Sequence, residues 1–466
     1  MAFLSNTEAD ACQGQTIPLD RLRGLEAIIP PERVEQVLRE EGKVNSRACN
    51  LSFSVLLWLV LAMGVFTDKP IRGVYRCCRR FQRERKTPSR SALCQGRQRL
   101  GTAAVRRLFL LVVCLLGTEE LSGCFYKGYR LMGIDGSRFD LPDTKANEHA
   151  FGRPQGGAKS TSQGAFPQVG KLSLVEIGTH AEIAIALRPM DRSEQTLAPR
   201  LFPHLTPEML LMLDNGFYGF SLLKRVHLTG AALLARVPKT PQFVPEEILT
   251  DGSFLTTITP ARLRRGFPQN GLKVRVIRYT IDDPQRTGHQ QEHRLMTTLL
   301  DAEKHPAEEL IVLYHERWEH ELVFDEQKTH QDPVRPSKPT QLRSQTPAGV
   351  VQELHALSLA HFATRTAMCA AAVREQIDPD RLSFTGSFQI LQTRLPECPN
   401  HSSQAVAGWY DHLLTEIAEE KIPPRRNRIN PRVVRQPRSK WNAKKPEHFG
   451  LPPLKKTFAE AIITPI

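Results

Sequence analysis

Four residues in the C-terminal half of the chain have types and spacing suited to phosphate chemistry. Tyr314, Arg317, Glu321 and Lys328 fall at positions i, i+3, i+7 and i+14, so a continuous α-helix would carry them on one stripe. The carboxylate can bind a metal ion, while Arg and Lys can bind phosphate oxygens beside it. An exposed helix face with ion pairs between neighbouring turns has the same composition, so the stripe alone leaves both interpretations open.

Other acids on the same predicted helix compete with Glu321 for this role. Three of them project roughly 140 to 160° away from Glu321 at 100° per residue. Asp325, one turn later, projects close to it and is the serious rival. Trp318 and Phe324 lie three residues before and after Glu321 and should hold its carboxylate at the edge of a buried face. We therefore prefer Glu321.

Two carboxylates earlier in the chain extend this set. Asp135 follows the apolar run YRLMGI and Asp214 follows LLML, so each is expected at a strand end, projecting into a cleft at the sheet edge. Three clustered carboxylates would raise one another's pKa values unless cations joined them. Oxygen ligands favour Mg²⁺ or Mn²⁺, and two such ions about 3.5 to 4 Å apart can hydrolyse a phosphodiester. The alternatives are a turn at Asp135 and a helix N-cap at Asp214.

Periodic patterns divide the chain into segments that would position these residues. Residues 1–120 are predicted to form an all-helical N-terminal domain that binds DNA, and residues 121–375 an α/β core with a mixed sheet. Within the core, residues 238–300 are polar and turn-rich and are predicted to be a β-rich insertion. Residues 376–420 should form a C-terminal helical region, and we expect the basic segment 421–466 to be disordered.

The positive charge is concentrated in two segments. The net charge is +14, yet thirteen Lys and Arg against one acid lie between residues 69 and 107, and twelve against one between 421 and 456. In the first segment Arg72, Arg76, Arg79, Arg80 and Arg83 recur every three or four residues, which predicts one helix face. Such a face can follow a phosphate backbone, because each neutralised phosphate releases counterions. A solvated basic face without a partner is the alternative.

The cysteines and apolar segments favour a cytoplasmic protein. The nine cysteines form no CxxC pair and no zinc-binding cluster with His, which indicates reduced thiols. No secretory signal is recognisable at the N-terminus. The most apolar run, residues 51–66, is shorter than the roughly 18 to 20 residues that span a bilayer, so we interpret it as a buried helix.

Several motifs together resemble one known family. The unbroken Tyr-(2)-Arg-(3)-Glu-(6)-Lys spacing that ends at Lys328 resembles the YREK signature of bacterial transposases of the insertion-sequence-four family. The segments IDGSRFDLPDT around Asp135, LDNGFYGF around Asp214 and LRSQTPAGVVQELHAL after the signature are also similar to that family. The resemblance covers nearly the whole chain.

This resemblance implies an RNase H-like catalytic core with a DDE triad of Asp135, Asp214 and Glu321 that binds the metal ions. The other three signature residues would contact the phosphates of the transposon end. The implied reaction is hydrolytic nicking that frees a 3′ hydroxyl, followed by attack of that hydroxyl on target DNA. The expected partners are double-stranded DNA and a second copy of the chain, without a membrane, on the nucleoid of a bacterial cytoplasm.

Two departures from the family pattern leave part of this mechanism open. Relatives that form a hairpin intermediate stack a flipped base on a Trp of the insertion, and no Trp lies within residues 238–300. Phe254, Phe267 or Tyr279 could replace it as the stacking platform. Asn215 follows the second Asp, where relatives commonly have Arg. The alternative functions are a catalytically silent DNA-binding repressor and a stand-alone nuclease of the same fold.

Overall fold

The structure is a computed structural model of the 466-residue chain. It describes residues 19–45, 50–80, 86–154, 166–260, 271–284, 289–315, 317, 319–333, 340–399, 402–423 and 455–463, without the side chains of residues 319–321. The chain divides into two units. Unit 1 consists of Met1–Cys124, Gly136–Leu197 and His320–Ile422, and unit 2 of Phe125–Asp135, Ala198–Glu319 and Pro423–Ile466.

The described residues up to Val112 form helices and no strand, whereas helices and strands alternate afterwards. The helices are α1 (Pro31–Glu40), α2 (Phe53–Val65), α3 (Ile71–Cys77), α4 (Arg90–Leu100), α5 (Ala103–Val112), α6 (Lys145–Phe151), α7 (Glu194–Leu197), α8 (Phe220–His227), α9 (Ala307–His315), α10 (Glu319–Asp325), α11 (Pro347–Arg374), α12 (Phe384–Arg394) and α13 (Ser403–Glu419). The strands are β1 (Phe125–Tyr126), β2 (Tyr129–Asp140), β3 (Gln168–Glu176), β4 (Ala181–Arg188), β5 (Met209–Leu213), β6 (Ala232–Arg236), β7 (Glu247–Ile248), β8 (Phe254–Ile258), β9 (Leu272–Ile281), β10 (His293–Thr297) and β11 (Ile462–Ile463).

The core of unit 1 is built on α2 and α11. Ser52 caps α2 by accepting a hydrogen bond from the N–H of Val55, and the helix is buried nearly all round, as its uniformly apolar sequence predicts. Gly64 lets the two helices approach closely, because a Cβ there would lie 2.0 Å from the carbonyl oxygen of Ala356. Within the described part of the chain, α11 is the one helix long and apolar enough to cross a membrane, and it is mostly buried.

The strand order is that of an RNase H-like fold. In unit 1, β3 pairs antiparallel with β4 and neighbours β2. In unit 2 the order is β2-β5-β6-β10-β9-β8-β7, and β5 pairs parallel with both β2 and β6. Three consecutive strands followed by two strands parallel to the first confirm the α/β class and mixed sheet predicted from the sequence.

The predicted β-rich insertion extends the sheet of unit 2. Strands β7, β8, β9 and β10 pair antiparallel in series, and β10 also pairs with β6, where Leu295 lies opposite Arg236. The insertion therefore continues the core sheet through β6.

Part of the basic C-terminal segment is ordered, contrary to the disorder expected beyond residue 421. Ile462 pairs with Ile281 on β9, and the ring of Phe458 stacks on His315 at 3.9 Å. The physical reason is the apolar sequence that follows the basic run, since Ala461 is fully buried. Residues 424–454, which carry most of the basic charge, lie outside the described residues.

Candidate active site

Asp135 and Asp214 each lie two residues beyond Gly133 and Met212, the last pair between two neighbouring parallel strands of unit 2. The pairs between β2 and β5, from Arg130 with Met209 to Gly133 with Met212, have a constant offset of 79 residues, and the same offset separates the two Asp residues. In-register residues on adjacent parallel strands lie about 4.8 Å apart and point to the same face. Both side chains are partly exposed, so a cation can reach the carboxylates.

The strand context of Asp135 differs from the one predicted. We expect it at a strand end, but β2 continues to Asp140. The neighbouring strand β5 ends at Leu213, so Asp135 lies where β2 runs past its parallel partner. The strand end that the sequence predicts beside the carboxylates is therefore that of β5.

Asp214 also caps a short turn, as one of its alternatives predicts. Its Oδ1 accepts a hydrogen bond of 2.9 Å from the N–H of Gly216, at the start of the 3-10 turn Asn215–Phe217. A carboxylate has about four lone-pair sites on its two oxygens, so the cap leaves acceptor capacity for a cation. Capping and metal binding are therefore compatible.

Arg317 places a positive charge beside the first carboxylate. Its Nη1 lies 3.7 Å from Oδ2 of Asp135, and the two side chains are 11% and 19% exposed. The guanidinium also lies over the ring of Tyr314, 5.7 Å from its centre. This charge favours the ionised form of the Asp135 carboxylate.

Tyr314 uses its hydroxyl proton inside the protein. The Oη–H donates a 3.1 Å hydrogen bond to the carbonyl oxygen of Leu213, and burial raises the pKa of Tyr314 to about 12. A Tyr hydroxyl has one proton to donate, and the oxygens of a DNA phosphodiester, which is a monoanion, only accept hydrogen bonds. As placed, this hydroxyl cannot also donate to a phosphate, which differs from the phosphate-binding role that the resemblance implies.

The signature segment is not one continuous α-helix. Helix α10 passes at Asp325 into a π-helical turn, Glu326–Gln331, which includes Lys328. A π turn inserts a residue into the helical repeat, so the stripe predicted at constant helical spacing does not hold through Lys328. Glu321 lies in α10, and its side chain is outside the described residues.

Lys328 points toward β2 within unit 1. Its Nζ donates a 3.3 Å hydrogen bond to Oγ of Ser137, two residues beyond Asp135, and lies 5.6 Å from the ring centre of Phe139. This contact places a positive charge along the segment of β2 that follows the first carboxylate.

Buried side chains on either side of Lys328 anchor the π turn. Glu326 accepts hydrogen bonds from Arg365 and lies 2.9 Å from Nε2 of His361. Burial would raise the pKa of Glu326, but Arg365 and His180 hold it well below its ordinary value. The sequence gives no signal for this network, because Glu326 lies in the polar run DEQKTHQ.

A second set of buried contacts fixes the next residue of the turn. Nζ of Lys171 on β3 donates 2.8 Å hydrogen bonds to Gln327 and Ser358, and Gln327 donates to Glu182 on β4 at 2.7 Å. Both members of the Lys171–Glu182 ion pair are fully buried. The π turn is thus tied to the β3–β4 hairpin and to α11.

Asp325, the rival of Glu321, has a partner in the same turn. Nε2 of His330 lies 3.5 Å from Oδ2 of Asp325. The hydrogen bond from His330 lowers the pKa of the Asp325 carboxyl. This pairing gives Asp325 a local role that needs no metal.

The arginines at positions 72–83 do not share one helix face as predicted. Helix α3 ends at Cys77, where Cys78 is buried and its carbonyl accepts a hydrogen bond from the N–H of Arg21. Arg72 and Arg76 are therefore on the helix, whereas Arg79 and Arg80 follow it. All four lie at or near the surface, and Arg83 is outside the described residues.

Two of the three stacking platforms considered for a flipped base are buried. Phe254 and Tyr279 are each 5% exposed, and the ring of Tyr279 already stacks on His293 at 5.1 Å. Phe267 lies outside the described residues. As placed, neither Phe254 nor Tyr279 offers a face to a base.

The donor set suits a hard divalent cation. Asp135 and Asp214 offer oxygen ligands on one face, which fits Mg²⁺ or Mn²⁺. Among the described side chains, no group of three His, Cys, Asp or Glu has the geometry of a metal site, and the carboxylate of Glu321 is not among them. A third ligand from α10 is therefore a proposal.

Comparison with known proteins identifies the family. Residues 19–110 match the family model "Insertion element 4 transposase N-terminal", and residues 126–362, more than half of the chain, match "Transposase DDE domain", a class that generally uses divalent metal ions. The chain is 30% identical over 422 residues to transposase InsG for insertion sequence element IS4 of Escherichia coli (strain K12), covering 89% of this chain and 92% of that protein.

Two further proteins are similar to this chain, one over less than half of it and the other over most of it. InsZ of the same strain is 25% identical over 205 residues, covering 43% of this chain and 66% of that protein. A cryo-EM structure of a piggyBac transposase synaptic complex with hairpin DNA covers 89% of this chain and 87% of that chain, with 9% identity and a TM-score of 0.42. On the two family models and the match to InsG, the chain belongs to the insertion-sequence-four family of DDE transposases.

Proposed function

We propose that this transposase binds the terminal inverted repeats of its insertion sequence, cleaves those ends and joins the 3′ hydroxyls to target DNA. The reaction requires two Mg²⁺ or Mn²⁺ ions bound by Asp135, Asp214 and Glu321. The observation that carries the proposal is that Asp135 and Asp214 each follow the last pair of β2 and β5, Gly133 with Met212, by two residues. Two carboxylates brought close together in this way are stabilised in their charged form by a cation between them.

The carboxylates and the signature residues have different tasks. Divalent ions held by the triad would supply activation of a water and stabilisation of the leaving oxygen. Arg317, which offsets the charge of Asp135, forks onto a phosphate of the bound end. Lys328 adds a compact positive charge. Tyr314 holds the end of β5 through Leu213, so its contribution to phosphate binding is indirect.

The assembly follows from the reaction. Two ends of one element must be held together, so the active species is a homodimer on DNA. The protein acts on the nucleoid in a bacterial cytoplasm, without a membrane. The exposed arginines of residues 72–80 add sequence-independent attraction for the phosphate backbone.

One experiment separates this function from its alternatives. The full chain is incubated with Mg²⁺ and a duplex that carries the inverted repeats flanking its gene, and the products are resolved on a denaturing gel. Cleavage at the repeat followed by joining to a second duplex is the expected result. Binding without cleavage would indicate a DNA-binding repressor, and cleavage without joining would indicate a nuclease.

A further inference from the structure

Helix α4 has one polar, exposed face and one buried face. Ser91, Gln95, Gln98 and Arg99 are exposed, and their spacing of i, i+4, i+7 and i+8 puts them on one side of the helix. The opposite side, Leu93, Gly96, Arg97 and Leu100, is buried. The exposed side therefore consists of side chains that form hydrogen bonds and includes no acid.

The buried face fixes α4 rigidly to the core of unit 1. The Arg97 guanidinium donates hydrogen bonds of 3.0 to 3.1 Å to Gln352, Ser344 and the carbonyl of Gly349. Gln352 in turn donates to the carbonyl of Arg97 at 2.8 Å. Because both partners are buried and α11 is the central helix of the unit, α4 cannot roll and its polar face has a fixed direction.

Close packing of Gly96 against a side chain of α2 supports the same conclusion. A Cβ at Gly96 would lie 2.6 Å from Cδ2 of Leu56 on α2, so α4 approaches α2 as near as a glycine allows. The start of the helix is also fixed, because Oγ of Ser89 accepts a hydrogen bond from the N–H of Ala92.

The surroundings of α4 favour a polyanion. Residues 86–107 contain six Lys and Arg and no Asp or Glu. Of these, Lys86, Arg90, Arg99, Arg106 and Arg107 are exposed, while Arg97 is the buried anchor. By contrast, α1 carries acids among its exposed residues and forms an ion pair, Glu40 with Arg107, at 2.5 Å.

The size and chemistry of the exposed face fit the major groove of B-form DNA. Eleven residues give a helix about 16 Å long, and a groove about 12 Å wide admits one α-helix. Gln pairs with the N6/N7 edge of adenine and Arg with the O6/N7 edge of guanine. Within the described residues, no hydrogen bond or ion pair occupies the side chains of Gln98 or Arg99.

We propose that α4 is the recognition helix of this transposase and reads base pairs of the transposon end in the major groove through Gln95, Gln98 and Arg99. The inference rests on the proposed function, since it requires that the chain binds its own ends. Arg90, in the first turn of α4, and Arg106, on the next helix α5, then contact the flanking phosphates. Base contacts supply the sequence preference, and phosphate contacts supply affinity for any DNA.

The test compares a cognate with a scrambled duplex. Binding of the full chain, with Ca²⁺ in place of Mg²⁺ to prevent cleavage, is measured by fluorescence anisotropy for wild type, Gln98→Ala and Arg99→Ala. Each substitution should weaken binding to the cognate end about 5- to 100-fold, from the discrimination that one bidentate base contact provides. Binding to the scrambled duplex should change less than threefold.

Matched controls separate base reading from general charge. Arg39→Ala removes an exposed Arg from the acid-bearing helix α1 and should leave both affinities unchanged. Arg106→Ala should weaken cognate and scrambled binding alike. All four substituted residues are exposed, and a thermal unfolding midpoint equal to that of the wild type confirms that each variant is folded.

Two results would overturn the inference, and they are distinguishable. If wild type prefers the cognate duplex and both α4 variants keep that preference, α4 does not read the end, although the proposed function survives. If wild type shows no preference for its own ends, the proposed function and the inference both fail. Equal loss on both duplexes would assign α4 to phosphate contact and would also contradict base reading.

Discussion

The hydroxyl of Tyr314 donates a 3.1 Å hydrogen bond to the carbonyl oxygen of Leu213, the residue immediately before Asp214. Leu213 is the last residue of β5, and Tyr314 lies in the last turn of α9. The bond therefore ties the start of the signature segment to the strand end that carries the second carboxylate. The signature Tyr acts on the metal site through the backbone.

Replacing Tyr314 by Phe tests this positioning role. The substitution keeps the ring and removes the hydrogen bond, so the carbonyl of Leu213 loses its buried donor, at a cost of about 1 to 3 kcal/mol. We expect slower end cleavage and a higher Mg²⁺ concentration for half-maximal rate. The salt dependence of DNA binding should not change, because no phosphate contact is lost.

Tyr126→Phe is the matched control in the same unit. Its hydroxyl donates to the exposed carboxylate of Glu309, so the variant should match wild type in Mg²⁺ requirement. The contrary result is a slope of log K against log salt that is less steep by about one for Tyr314→Phe, with an unchanged Mg²⁺ requirement. That result would show that Tyr314 binds a phosphate directly.

Lys328→Ala is expected to lower DNA affinity in a salt-dependent manner. If Lys328 neutralises one phosphate, log K plotted against log salt should become less steep by about 0.9. Cognate and scrambled duplexes should be affected alike, since a phosphate contact carries no sequence information. Lys328→Arg keeps the charge and should keep the slope. An unchanged slope for Lys328→Ala would limit this residue to its contact with Ser137.

Glu326→Gln should destabilise unit 1 strongly. The substitution leaves the buried guanidinium of Arg365 without its countercharge, which typically costs about 3 to 5 kcal/mol. The measurement is the free energy of unfolding in urea. Glu375→Gln, at an exposed position of the same unit, should change it by less than about 0.5 kcal/mol. A loss for Glu326→Gln as small as the control's would mean that the network does not anchor the π turn.

His355 makes stability depend on pH. It lies in α11 with Nδ1 2.8 Å from the carbonyl of Val351, and burial lowers its pKa to about 4 from an ordinary 6.5. The unfolded chain therefore binds this proton more tightly, so the stability present above pH 6.5 is lost as the pH falls toward 4.

The variant His355→Leu removes that proton linkage. Below pH 6.5 the proton on His355 lowers the free energy of unfolding by about 1.4 kcal/mol per pH unit. Between pH 7 and pH 5 the free energy of unfolding should therefore fall by about 2 kcal/mol more in the wild type than in His355→Leu. Urea titrations at the two pH values measure the difference. Equal losses in the two proteins would show that His355 does not titrate in this range.

The sequence predicts the parts of the site that depend on local pattern. Apolar runs before Asp135 and Asp214 locate the two strands, and the turn residues after Asp214 locate the cap. The register of β2 with β5 could not be read from either run, because strand register is a property of the pair. The structure shows that β2 and β5 pair with an offset of 79 residues, the separation of the two Asp residues in the sequence.

Burial of charged side chains explains most of the other differences between the predicted and the observed structure. Lys171, Glu182 and Glu326 are residue types that are mostly exposed, so their sequence positions carry no sign that they pair inside unit 1. The π turn depends on these pairs, so it could not be predicted from the sequence either. The predicted arginine face differs from the structure because α3 ends at Cys77, before Arg79 and Arg80.

The central claim, that Asp214 is a metal ligand of the cleavage reaction, is tested most directly by Asp214→Cys. A thiolate binds Mg²⁺ poorly and accepts softer metals. We predict that this variant still binds the transposon end, is inactive in cleavage with Mg²⁺, and regains cleavage with Mn²⁺ or Cd²⁺. Asp143→Cys, at an exposed position, should remain active with Mg²⁺. Full activity of Asp214→Cys with Mg²⁺ would contradict the account.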